Sequence, residues 1–121
     1  MPSAPDHLAQ ASHNKDLVSY LRKDEENFPD WVITAAFYIT IHLLERYFAH
    51  RGPEHSKNHN HRENILNSYT ELKPINRAYF ELKRLSTESR YQRLYSVWTP
   101  PEAQAALDLV REIEQHLSSL P

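Results

Sequence analysis

Apolar residues three and four positions apart recur along most of the chain, which predicts helices rather than strands. A first helix is expected over about residues 6–26, with Leu8, Ala11, Val18 and Leu21 near one face and Lys15, Arg22 and Lys23 elsewhere. Its apolar stripe is thin, so it packs on one side only. Asn27-Phe28-Pro29-Asp30 separates it from the next helix. Asn27 is a capping residue, and Pro29 fits a first turn, where its missing N–H costs nothing. The second helix, about residues 29–50, carries two stripes: Val32, Ala36, Ile39 and Leu43, then Ile33, Phe37, Ile41, Leu44 and Phe48. A helix apolar on two faces belongs at the centre of a bundle, or between a bundle and a partner. Arg51-Gly52-Pro53 ends it, with Gly52 as the expected C-cap.

After a polar loop over residues 54–58, a third helix is predicted over about residues 59–73 with Ile65, Leu66, Tyr69 and Leu72, stopped by Pro74. A fourth, about residues 75–92, presents Ile75, Tyr79, Leu82 and Leu85 inward. The last, about residues 100–119, opens on Thr99-Pro100-Pro101-Glu102, a capping box with proline at the first helical position. Behind it run Ala106, Leu109, Val110, Ile113, Leu117 and Leu120. The expected architecture is a single all-α domain over residues 1–121, an up-and-down bundle of four or five helices.

Composition narrows the chemistry. The chain has 121 residues, one Gly and no Cys. A single glycine excludes a phosphate-cradling Gly-rich loop, a dinucleotide fingerprint and a nucleophile elbow. Without cysteine there is no disulfide, thiolate nucleophile or Cys-based zinc site. No cofactor is implied. The most apolar stretch, Trp31 to Leu44, contains Thr34, Thr40 and His42 and is too short for a bilayer span, so no membrane partner is expected and the cytosol is the default location.

Charge is unevenly spread. Residues 73–95 hold Lys73, Arg77, Lys83, Arg84, Arg90 and Arg93 against Glu81 and Glu88, interleaved with Tyr79, Phe80, Tyr91 and Tyr95. Arginine forks grip phosphates and aromatic rings stack on bases, which suits single-stranded nucleic acid; a solvated helix face is the plainer alternative. Arg90, Tyr91 and Arg93 fall at a predicted helix end and are the freest to meet a ligand. His50, His55, His59 and His61 crowd together, and His55, His59 and His61 form a metal alternative for zinc or nickel, without a fixed third and fourth ligand. His42 and Glu45, three apart among apolar neighbours, need partners: each other, Arg46 or a neighbouring helix. On the last helix, Arg111 and His116 could hold a phosphate and move a proton, or be an ordinary charged pair near a C-terminus.

The string Asp30-Trp31, Thr34-Ala35-Ala36-Phe37-Tyr38, His42-Leu43-Leu44-Glu45, Tyr47, Gly52, then His59-x-x-Arg62, Ile65-Leu66, Leu85-Ser86 and Ser89-Arg90-Tyr91 resembles the HEPN (higher eukaryote and prokaryote nucleotide-binding) domains, most of all small stand-alone prokaryotic members. The resemblance spans about residues 8–117. It implies a helical bundle that commonly forms homodimers, in a group of metal-independent ribonucleases, RNA-binding modules and toxin–antitoxin or defence proteins. Catalytic members carry Arg-x4–6-His near the start of the final helix, often with Tyr two residues on. Here Arg111-x4-His116 lies late in that helix and Ser118 stands at the Tyr position. Ser89-Arg90-Tyr91 is similar to the Arg-Tyr signature of members that often lack the nuclease motif, and His59-x-x-Arg62 to a feature of short members.

Three functions follow as expectations. The first is RNA or nucleotide binding by a homodimer through Arg90, Tyr91, Arg93, His59 and Arg62. The second is a metal-independent endoribonuclease using Arg111 and His116, or His59 and Arg62. The third is a non-catalytic, antitoxin-like module whose second helix docks on a protein partner encoded nearby.

Overall fold

The computed structural model describes residues 2–24, 28–51 and 56–121. Among them are five α-helices and no β-strand: α1 (Ala4–Leu21), α2 (Pro29–Arg51), α3 (His59–Ser68), α4 (Lys73–Thr87) and α5 (Pro100–Ser119). Single turns of 3₁₀ helix span Arg22–Asp24, Thr70–Leu72 and Tyr95–Val97, and a π turn spans Glu88–Gln92. The all-α bundle expected from the sequence is the fold found. Asn27, Gly52 and His55, singled out above, lie outside the described residues. No helix among the described residues is long and apolar enough to cross a membrane.

The helices begin where local chemistry satisfies their free N–H groups. Ser3 caps α1: its Oγ accepts from the Asp6 N–H, and the Asp6 carboxylate accepts from the Ser3 N–H at 2.9 Å. The Ser3 N–H first, and the Ser3 side chain second, hold the Asp6 carboxyl below its usual range. Asn58 caps α3, its Oδ1 accepting from His61 N–H at 2.8 Å. At α5 the Glu102 carboxylate accepts from the Thr99 N–H and hydroxyl, both at 3.0 Å.

Two boundaries differ from expectation. The third helix ends at Ser68, because Tyr69 turns extended with φ −88° and ψ 116°. Pro74 then sits in the first turn of α4, which starts at Lys73, instead of stopping the helix before it. The α-form of the fourth helix stops at Thr87. Its continuation is the π turn, in which Arg93 N–H reaches back to the Glu88 carbonyl at 2.9 Å.

Helix α2 is the centre, packed by α1, α4 and α5, while α3 rests on α4. All nine residues of its two expected stripes are buried. Trp31, Tyr38 and Arg46 are its exposed side chains between Trp31 and Phe48. At seven-residue spacing, Trp31 and Tyr38 share one narrow water-facing line. Helix α1 buries only His7, Ala11 and Val18. Leu8, expected in the core, is 43% exposed, and His7 occupies the inward position. The reason is polar: His7 Nδ1 lies 3.0 Å from His42 Nδ1 of α2, with the rings tilted by 35°.

Candidate functional site

The site grows from a carboxylate in the core. Glu45 stands on the buried side of α2, its side chain 3% exposed, and a charge so placed needs a partner. Arg62 of α3 supplies it, donating from Nε to Glu45 Oε1 at 2.9 Å with a side chain only 10% exposed. The Ser56 N–H donates to Oε2 at 3.3 Å, and the Ser56 hydroxyl also bonds the carboxylate. Three donors on one carboxylate satisfy it without water.

Arg62 also reaches outward. Its Nη1 lies 2.8 Å from His59 Nδ1. Arginine has only donors, so Nδ1 accepts, and the neutral imidazole then carries its proton on Nε2. Partial desolvation, then Arg62, Lys83 and Arg90, hold His59 below the ordinary histidine range, against a smaller opposing effect of Glu63. The ring lies nearly parallel to Phe37, centroids 6.2 Å apart, and Phe37 packs on Tyr79 at 5.7 Å. Tyr79 is fully buried, and its hydroxyl meets no hydrogen-bond partner of good geometry among the described residues. Burial raises its phenol, and the neighbouring Arg62 guanidinium acts against that rise.

The π turn delivers Arg90. Ser89 points inward, its hydroxyl 2.9 Å from Thr34 Oγ1, which leaves Arg90 at the surface. Arg90 donates from Nη1 to Tyr38 Oη at 2.7 Å and from Nε to the Ser86 carbonyl at 3.2 Å. Its guanidinium carbon lies 5.5 Å from the Tyr38 ring centre and 5.0 Å from that of Tyr91. Arg90 has no carboxylate partner among the described residues. His59, Arg62 and Arg90, three of the expected ligand-binding residues, thus fall in one electrostatic neighbourhood, which Lys83 and Tyr38 join.

Three others of the basic run meet carboxylates, while Lys73 and Arg77 have no ion pair among the described residues. Lys83 pairs with Glu63, Arg84 with Glu81 and Glu88, and Arg93 with Glu88 at 3.6 Å. Arg93 also lies over the Trp98 ring at 5.6 Å. Arg111 and His116 are not brought together: five residues separate them by roughly 140° around the helix axis. Arg111 is exposed, whereas the half-buried His116 donates from Nε2 to the Glu71 carbonyl at 2.6 Å. Of the metal alternative, His59 Nδ1 is engaged by Arg62, and His61 Nδ1 accepts from the Lys57 N–H at 3.0 Å. No cluster of three or more metal-ligating side chains occurs among the described residues.

Sequence reasoning gave Glu45 and His42 three possible partners, each other, Arg46 or a neighbouring helix; for Glu45 it is the neighbouring helix, through Arg62, while His7 was missed altogether. The available signal was one carboxylate on a doubly apolar helix, which demands a buried cation from some other element. Burial and hydrogen bonding at His42 follow the same logic: desolvation, opposed by Glu45, holds its imidazole below the ordinary range. Comparison with known protein families, with curated proteins and with solved structures finds no match to this chain.

Proposed function

We propose that this helical bundle binds RNA or a nucleotide by its phosphate, at the surface formed by His59, Arg62, Lys83 and Arg90, with Tyr91 beside it. One observation carries the reading: a neutral imidazole fixed by Arg62, its remaining N–H free to donate, with Lys83 and Arg90 near enough to depress its basicity. Cationic side chains that repel a proton attract an anion by the same field. Tyr91, 75% exposed, and the exposed Tyr38 both offer rings close to Arg90.

Binding is favoured over cleavage. A general base needs a lone pair aimed at the proton it removes. The lone pair of His59 is Nδ1, and Arg62 occupies it. The test is a fluorescence-anisotropy titration with labelled single-stranded RNA at several salt concentrations. Saturable binding is expected, with a log–log salt slope between about −0.7 and −2, as one to three neutralised phosphates give. Arg90→Gln weakens it. Salt-insensitive binding, or none, overturns the proposal, and loss of intact RNA in EDTA restores the ribonuclease reading.

Pairing of two copies is a second reading. It is favoured by exposed Trp31, Leu94, Tyr95 and Val97, large apolar side chains in and after the segments that flank Arg90. The stripes of α2 do not argue for a partner, since α1, α4 and α5 already cover them. Light scattering over a dilution series separates a dimer from a monomer.

A further inference from the structure

The charges around His59 can be counted. Glu45 cancels Arg62, and Glu63 cancels Lys83. His59 is neutral, because its Nδ1 accepts from Arg62. Arg90 is the one cation of the group that no carboxylate among the described residues meets. The α3 N-terminus, whose first residue is His59, adds about half a positive charge. The local sum suits one negative charge and falls short of two.

We infer that this site takes the monoanionic phosphodiester of single-stranded nucleic acid in preference to the dianionic phosphate of a free mononucleotide. The inference rests on the phosphate-binding reading above and narrows it. A dianion would leave an unbalanced negative charge at a partly desolvated place unless His59 took up a proton. That proton would have to sit on Nδ1, where the Arg62 Nη1–H already points, and would set an imidazolium against Arg62, Lys83 and Arg90. The local structure therefore opposes the one adjustment that a dianion requires.

The ring geometry supports the same ligand. Tyr38 is held by its hydroxyl to Arg90, and Tyr91 approaches Arg90 through its ring. A phosphate bound to Arg90 has two aromatic rings within reach, one for each of two successive unpaired bases. A mononucleotide fills only one. Bases in a duplex are already stacked and gain nothing there. RNA and DNA share this chemistry, since it reads the phosphodiester and the base plane.

The experiment uses the full chain and a labelled oligouridylate at pH 8, competed by uridine 5′-monophosphate, its phosphate methyl ester, and unlabelled oligomers of uridine and deoxyuridine. The methyl ester changes the phosphate from dianion to monoanion and keeps base and ribose. It should displace the label at a concentration at least about tenfold lower than the free monophosphate, which corresponds to one factor of ten in the binding constant. Tyr91→Ala, an exposed position that leaves the core intact, should weaken oligomer binding by about tenfold, in keeping with the loss of one stacked base. Equal displacement by the uridine and deoxyuridine oligomers supports recognition of the shared backbone, and a large preference for one assigns the source. If the monophosphate competes as well as its ester, the charge argument is overturned while phosphate binding stands. If no competitor displaces the label and Arg90→Gln binds it as well as the wild type, the phosphate-binding reading itself fails.

Discussion

Replacing Glu45 by Gln leaves the shape of the side chain almost unchanged and removes its charge, so it isolates what the buried ion pair does. In the native protein the carboxylate accepts from Arg62 Nε, the Ser56 N–H and the Ser56 hydroxyl. A glutamine can keep one oxygen as an acceptor, but its amide nitrogen then faces donors. The Arg62 charge, with a side chain 90% withdrawn from water, loses its counter-ion. Breaking a buried pair from one side costs roughly 3–5 kcal/mol, and the retained acceptor places this variant near the lower end. A chain of this length has of order 10 kcal/mol of total stability, so the loss is about a third of it. Urea unfolding followed by helical circular dichroism at pH 7.5 measures it directly. The double variant Glu45→Leu with Arg62→Met removes both charges and fills the space with apolar atoms, so it should recover much of that loss. Its His59, freed of the Arg62 guanidinium, should titrate closer to the ordinary histidine range by NMR. A single variant within about 1 kcal/mol of wild type, or a double variant weaker than the single, would refute the assignment of this pair as a desolvated charge pair.

Three other outcomes are expected. His42 and His59 are both held below the ordinary value of 6.5, so the folded state binds fewer protons than the unfolded state just below that pH. Their contribution is present above pH 6.5 and is lost as the pH falls toward their folded values. Urea midpoints should therefore drop between pH 7.5 and 5.5. His42→Gln should flatten that slope, since it removes the imidazole that faces His7, Glu45 and Arg62; an unchanged slope would count against the desolvation of His42 as the source. Thr99→Ala should cost about 1 kcal/mol in the same assay by loosening the start of α5, and an effect below a few tenths would show that the cap is dispensable. Arg111→Gln should change stability by no more than about 0.5 kcal/mol and leave RNA binding intact; abolition of an EDTA-resistant RNA cleavage by this substitution would return α5 to the centre of the function.

The centre of the fold was readable because α2 is governed by one effect. Val32, Ile33, Ala36, Phe37, Ile39, Leu43, Leu44 and Phe48 all gain from burial, and nothing local competes. The edges were harder, because two effects of similar size meet there. At Pro74 the sequence allows either a stop for the preceding helix or a start for the next, and the extended backbone of Tyr69 decides for the start. At α1 an apolar Leu8 competes with His7 for the inward position. Burying Leu8 would gain about 2 kcal/mol, while leaving His42 without a partner in a partly desolvated place would cost a similar amount. The imidazole pair prevails, which apolar periodicity alone does not anticipate.

The site was legible as residue types and not as an electrical object. His59-x-x-Arg62 and Arg90-Tyr91 stood out in the sequence, but their meaning depends on carboxylates distant in the chain. Glu45 precedes Arg62 by 17 residues, and Glu63 precedes Lys83 by 20. Six basic side chains between Lys73 and Arg93 suggest a strong positive field. Glu63, Glu81 and Glu88 remove half of it at the contacts with Lys83, Arg84 and Arg93. What remains is Lys73, Arg77 and Arg90, of which Arg90 is the one that shares a neighbourhood with the imidazole that Arg62 keeps neutral. On the proposed reading, the patch around Arg90 carries too little net charge to hold nucleic acid by bulk attraction, so affinity there would come from stacking and a few directed hydrogen bonds. On that reading, the same fixed tautomer that would let His59 donate to a phosphate withholds the lone pair that strand cleavage would need.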